Sequence, residues 1–232
     1  MQALKDLRAS DCWSDAGRDE ASAEACAPKA RAAQRPPSPP PRAASNPFRA
    51  QRDRLPVAEQ RDQLLGMIGR HQVVFVEGET GSGKSTQVAQ FVLEQASEHQ
   101  TPCSIVCTQP RRISALGVSE RVAAERGESI GGTVGYSIRF DTRASSATAL
   151  LFCTTGLLLR RLESERDLLG VPHLFIDEVH ERSVESDLLL LVVMARATTA
   201  TEGEQAVRRG SELGERHSLC PEYLQLVQLY NV

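Results

Sequence analysis

The chain has 232 residues, which permits one full hydrophobic core and one or two domains. Apolar residues make up 41% and charged residues 25%, ordinary for a globular protein, and no apolar run approaches the ~18 residues of a membrane helix, so an integral membrane protein is not expected. A net charge of −3 supplies no global field for a polyanion, so contact with nucleic acid would have to come from a local basic patch.

Residues 1–50 lack the apolar stretch of a signal peptide and carry too many acidic residues for a transit peptide, which makes an intracellular, cytoplasmic location the expectation, with the nucleus left open. Six cysteines occur without any C-x2-C pair and are read as free thiols. Residues 1–54 are rich in Ala, Pro, Ser and charge, and are expected to be disordered because they hold few large apolar groups to offset the entropy of ordering. Within them, Pro36 to Arg42 has the spacing of a ligand for an SH3-type groove, and Asn46-Pro47-Phe48 that of a short peptide ligand; the alternative is a stiff linker.

From Leu55 to about Thr198, apolar strand-like runs alternate with helical stretches, the pattern of an α/β fold with a mainly parallel sheet. Strands are expected at 73–76, 104–107, 136–140, 149–153 and 173–176. Helices are expected from Lys84, from Gln109-Pro110 to about Glu125 with Gly127 as its stop, over 157–162, and over 184–196. Residues 199–232 lose periodicity and are expected to be a poorly ordered tail, with at most a short amphipathic helix after Cys220.

Gly78-Glu79-Thr80-Gly81-Ser82-Gly83-Lys84-Ser85 fits G-x-x-x-x-G-K-[ST] directly after a strand and at the start of a helix. Glycines there let backbone N–H groups and the helix N-terminus close around a phosphate. Lys84 would bridge the β- and γ-phosphates of ATP, and the Ser85 hydroxyl would ligate Mg²⁺. Phe175-Ile176-Asp177-Glu178 sets two carboxylates at a strand's C-terminal end, where ligands of parallel sheets collect. Asp177 would hold Mg²⁺ and Glu178 would activate the attacking water; the alternative is a helix cap.

Gly78 to Thr86 (GETGSGKST), Thr108 to Ala115 (TQPRRISA), Thr154-Thr155-Gly156 and Asp177 to Arg182 (DEVHER) resemble, in order, motifs I, Ia, Ib and II of the DEAH/RHA helicases of superfamily two. The resemblance covers about residues 55–197 and implies a first RecA-like domain that binds Mg-ATP and RNA. It implies that Arg121 stacks on the adenine and that His180 couples nucleotide to the second domain; read alone, His180 is a helix-entry residue. Arg111 and Arg112, with Thr108, Gln109, Thr154 and Thr155, would follow the RNA phosphate backbone. Their alternatives are surface charge, turns and caps. The GSGKST loop with DEVHERS is most similar to DExH helicases that act with the small ribosomal subunit in translation initiation, which implies that subunit as a partner.

The sequence departs from the family in two ways. No Q-x-x-G-R-x-G-R segment is present, and no Ser-Ala-Thr follows about 25 residues beyond the DEVH box, so the strand that carries that motif is expected to be missing. Without arginine fingers, worth roughly 10³–10⁵ in rate, the chain should hydrolyse ATP very slowly by itself. Three classes of function therefore stand: an RNA-dependent ATPase and helicase domain, a product that binds nucleotide or partners without turnover, and a P-loop kinase, which would have no use for the QPRR and TTG segments.

Overall fold

The computed structural model describes residues 39–40, 47–164, 171–195 and 225–231. Seven strands form one sheet: β1 (Val73–Gly78), β2 (Ile105–Gln109), β3 (Val134–Ile138), β4 (Asp141–Arg143), β5 (Leu150–Thr154), β6 (His173–Ile176) and β7 (Gln225–Asn231). Their spatial order is β1-β7-β6-β2-β5-β3-β4, parallel throughout except for the terminal β3–β4 pair. The helices are α1 (Arg49–Arg52), α2 (Pro56–Glu59), α3 (Arg61–Arg70), α4 (Lys84–Glu98), α5 (Arg112–Arg126), α6 (Thr155–Ser164) and α7, residues 184–195.

Period-two alternation sorts the central strands' side chains into two cores, one on each face of the sheet. Phe175 and Val227 face the core built by α3, α4 and α5, with Leu64, Ile68, Val88, Phe91 and Val122. Leu174, Ile176 and Leu226 face the other core, with Leu158 and Leu162 of α6 and Leu189 and Val193 of α7. β2 and β3 are buried along their whole length; the apolar start of β2, Ile105-Val106-Cys107, marked it in the sequence without alternation. Helix α5 stops where expected: Gly127 takes a left-handed φ of 75° and the Glu128 N–H closes back on the Ala123 carbonyl.

Two expectations are corrected. The segment ahead of Leu55 was expected to lack structure as far as residue 54, yet 47–54 form α1 and its turns, and Arg52 is buried against Gln87, Glu94 and Glu125. The buried arginine, with acceptors on α4 and α5, ties this segment to the domain. Among residues 36–42 only Pro39 and Pro40 are described; Pro39 is buried and the Pro40 carbonyl accepts from Arg126 Nη2 at 3.3 Å. The rest of the SH3-type segment, and Asn46, lie outside the described residues.

The second correction concerns the tail. Residues 225–231, expected at most as part of a short helix, are a central strand between β1 and β6. Leu-Gln-Leu-Val-Gln-Leu-Tyr has apolar residues at both odd and even positions, which suits a strand covered on both faces. Its two glutamines misled the periodicity: Gln228 is buried, and its Oε1 accepts from the Tyr230 hydroxyl at 2.8 Å. The tail thus supplies a strand of its own, which runs from Gln225 to Asn231 and contains no Ser-Ala-Thr. The remainder of 199–224 lies outside the described residues.

Candidate phosphate-binding site

The loop from Gly78 to Lys84 links β1 to α4, and two of its glycines take left-handed φ values, 85° at Gly81 and 97° at Gly83. At Gly83 the constraint is double, because a Cβ would also lie 2.9 Å from Leu55 Cδ1 and 3.0 Å from Val57 Cγ1. The Val57 N–H donates to the Ser82 carbonyl at 3.2 Å, so α2 braces the loop from outside. Lys84 is 5% exposed and its Nζ donates to the carbonyls of Gly78 (2.5 Å) and Glu79 (2.7 Å) and to Ser82 Oγ (3.1 Å). Burial lowers the pKa of this ammonium, against the opposing pull of Asp177, Glu178 and Glu79. The lysine that the sequence assigned to phosphate and the two strand-end carboxylates therefore share one electrostatic neighbourhood.

Asp177 is 4% exposed at the end of β6, and its two oxygens are held separately. Oδ2 accepts from Gln109 Nε2 at 2.6 Å and Oδ1 accepts from the Glu178 N–H at 2.9 Å, while the Asp177 N–H reaches the Thr108 carbonyl at 3.2 Å. Glu178 then turns sharply, with a left-handed φ of 56°, and its Oε2 lies 3.3 Å from His180 Nε2. A non-glycine residue in that region costs on the order of 1–3 kcal/mol and persists where its surroundings over-determine it, as at functional sites. Ser85, in the first turn of α4, and Asp177 are the oxygen donors suited to a hard divalent cation beside the P-loop. The glycine-lined cradle with its buried lysine and flanking carboxylate fits a metal-bound nucleoside triphosphate.

The residues expected along RNA separate into two groups. Arg111 is exposed and pairs with Glu181 at 2.9 Å, and Arg112 is exposed and donates to the Arg139 carbonyl at 3.1 Å. Thr154 is half-buried at the end of β5. Thr108, Gln109 and Thr155 differ from the expectation: all three are nearly fully buried, and their side chains bond inward, to the Phe175 carbonyl, to Asp177 and to the Gln109 carbonyl. Their motif is placed by the β2–β6 pairing, which sets Thr108 opposite Ile176 and so turns Gln109 onto the neighbouring aspartate.

Arg121 sits on α5 with Nε donating to Glu125 Oε1 at 2.8 Å and Nη2 to Gln51 Oε1 at 3.2 Å, and its guanidinium lies 4.7 Å from the Phe48 ring centroid. Burial would raise the Glu125 carboxyl, but hydrogen bonds from Gln87, Arg121 and Gln90 outweigh it and hold the group below the usual range. Sequence reasoning found Arg121 only through the resemblance and missed Glu125, Arg52 and Gln51. The four-residue spacing of Arg121 and Glu125 on one helix face was the only signal available.

The family model of the DEAD/DEAH box helicases matches residues 57–202. The chain belongs to that family. Among its relatives, the putative ATP-dependent RNA helicase DHX57 of Mus musculus is 49% identical over 177 residues, 74% of this chain and 13% of the relative. The DExH-box ATP-dependent RNA helicase DExH1 of Arabidopsis thaliana is 50% identical over 148 residues, 63% of this chain and 15% of the relative. The ATP-dependent RNA helicase DHX29 of Homo sapiens is 49% identical over 151 residues, 62% of this chain and 11% of the relative. The chain thus spans no more than about a seventh of the length of these relatives. Its parallel sheet with a P-loop is the first RecA-like, ATP-binding domain of a DExH helicase.

Proposed function

We propose that this chain binds Mg-ATP through Gly78 to Thr86 and Asp177, binds the phosphate backbone of RNA through Arg111 and Arg112, and serves ATP-driven remodelling of RNA. The observation that carries the reading is the meeting of buried Lys84 and Asp177 with the part-exposed Glu178 at the ends of β1 and β6. Ser85 and Asp177 would hold Mg²⁺, which when bound neutralises charge on the transferring phosphoryl group. Lys84 leaves the carbonyls of Gly78 and Glu79 for phosphate oxygens, to which it donates with full charge assistance. Glu178, held towards His180 by its left-handed turn, orients the attacking water and accepts its proton. The small ribosomal subunit as partner and a cytoplasmic location belong to the same proposal, on the similarity of the GSGKST and DEVHERS segments.

One observation favours a second reading, binding without RNA-coupled turnover: the strand beside β1, Gln225 to Asn231, holds no serine or threonine. ATP hydrolysis by the purified chain, with and without single-stranded RNA, separates the two. Lys84→Ala should abolish ATP binding, and Glu178→Gln should keep binding and lose turnover by about 10²–10⁴-fold, the usual worth of a positioned base. RNA-stimulated turnover absent from both variants supports the ATPase. Turnover of the parent no greater than that of Lys84→Ala supports binding alone, and equal ATP affinity in parent and Lys84→Ala would sink the P-loop assignment.

A further inference from the structure

A cavity of about 240 Å³ opens beside the P-loop, lined by Lys84, Ser85 and Thr86 and also by Arg121, Gln51 and Arg52. Gln51 and Arg52 belong to a segment that precedes the residues matched by the family model. The cavity therefore runs from the phosphate cradle to an arginine whose position is fixed by residues outside the motifs quoted above. Arg121 is held on three sides: an edge by the buried Glu125 carboxylate, another edge by Gln51, and a face by the Phe48 ring. Arg121 lines the cavity, and the Phe48 ring, which does not line it, lies with its centroid 4.7 Å from the guanidinium carbon.

An arginine on a helix surface ordinarily samples many rotamers, and a ligand that stacks on it has to stop that motion. Here Phe48 and Gln51 already contact the guanidinium, while Arg121 still lines the cavity. Flat guanidinium faces stack on aromatic rings, and larger rings gain more. We propose that Phe48 and Gln51 are positioning residues that hold Arg121 flat as the stacking platform for the purine ring of the bound nucleotide. The inference rests on the nucleotide reading above and adds to it the segment that sets base recognition. With Gln51 Oε1 committed to Arg121, its amide N–H₂ is the group left to face the acceptor nitrogens of a purine edge.

The test is equilibrium binding of ATP and of inorganic tripolyphosphate, which lacks the base, to the purified chain and its variants. Phe48→Ala should weaken ATP roughly two- to fivefold, the fold-change of one cation–π contact at an exposed site, and leave tripolyphosphate unchanged. Gln51→Ala should act in the same direction, and Phe48→Trp should restore ATP binding, which a merely structural role would not produce. Equal losses for ATP and tripolyphosphate, or tighter ATP binding on removal of the ring, would overturn the inference. Tripolyphosphate binding that survives in Lys84→Ala would instead overturn the P-loop reading, so the two failures are told apart.

Discussion

Gln109 donates to Asp177 from a position where it is 2% exposed, and the aspartate beside it is 4% exposed. A buried carboxylate short of one donor costs about 1–3 kcal/mol, so the amide holds the Asp177 carboxylate in its orientation. Gln109→Leu, which keeps the volume and removes the donor, should raise the Mg²⁺ concentration needed for tight ATP binding by about 10–100-fold. ATP affinity measured in EDTA should be unchanged, and a shift of equal size there would show general damage to the site in place of a lost orientation. At this scale the sequence identified the reactive groups but not their holders. Lys84 and Asp177 stand in spacings whose chemistry is local, whereas the role of Gln109 follows from the β2–β6 register, a contact 68 residues apart along the chain. The same distance in sequence hid Gln51 and Phe48, which reach Arg121 across 70 or more residues.

Strand β7 shows where periodicity fails for a whole element. A strand inside a parallel sheet has no wet face, so a glutamine such as Gln228, bonded to the Tyr230 hydroxyl, carries no information about which side is out. Its entry is pinned by the Gln225 N–H to the Pro172 carbonyl (2.7 Å) and by the Leu226 N–H to the Gln72 carbonyl (2.8 Å), and it sets Gln225 opposite His173 of β6. Burial pushes the His173 imidazole down to about 4. Between about 4 and 6.5 the unfolded chain holds a proton at this histidine that the folded chain does not. Stability contributed by the neutral ring is therefore complete above pH 6.5 and is lost progressively as pH falls towards 4, by up to about 3 kcal/mol. Urea unfolding midpoints of the parent should fall over that window more steeply than those of His173→Leu. Parallel slopes for the two proteins would mean that the ring is not buried against β7.

For the molecule as a whole, the charge of −3 leaves affinity for a polyanion to be decided by local placement. Arg111 and Arg112 stand at the start of α5, at the same end of the sheet as Asp177, and Arg111 is paired with Glu181 in the turn that also carries Glu178 and His180. An exposed pair of this kind contributes little to stability, about 0–1 kcal/mol, so Arg111 can exchange Glu181 for a phosphate at small cost. Such an exchange would release the catalytic turn from the RNA-facing side, giving RNA a direct mechanical hold on Glu178. Each phosphate neutralised on a single strand releases about 0.7 of a counterion, so Arg111→Ala with Arg112→Ala should reduce the slope of log affinity against log salt by about 1.4. The loss should be the same for poly-U and for a mixed-sequence strand, because contacts to the backbone carry no sequence information. Fluorescence anisotropy at four potassium chloride concentrations measures both quantities. An unchanged slope would place the RNA on another face of the sheet and remove the link between RNA and the DEVHER turn; a reduced slope, together with tighter RNA binding by Glu181→Gln, would show that Glu181 and phosphate compete for the same guanidinium.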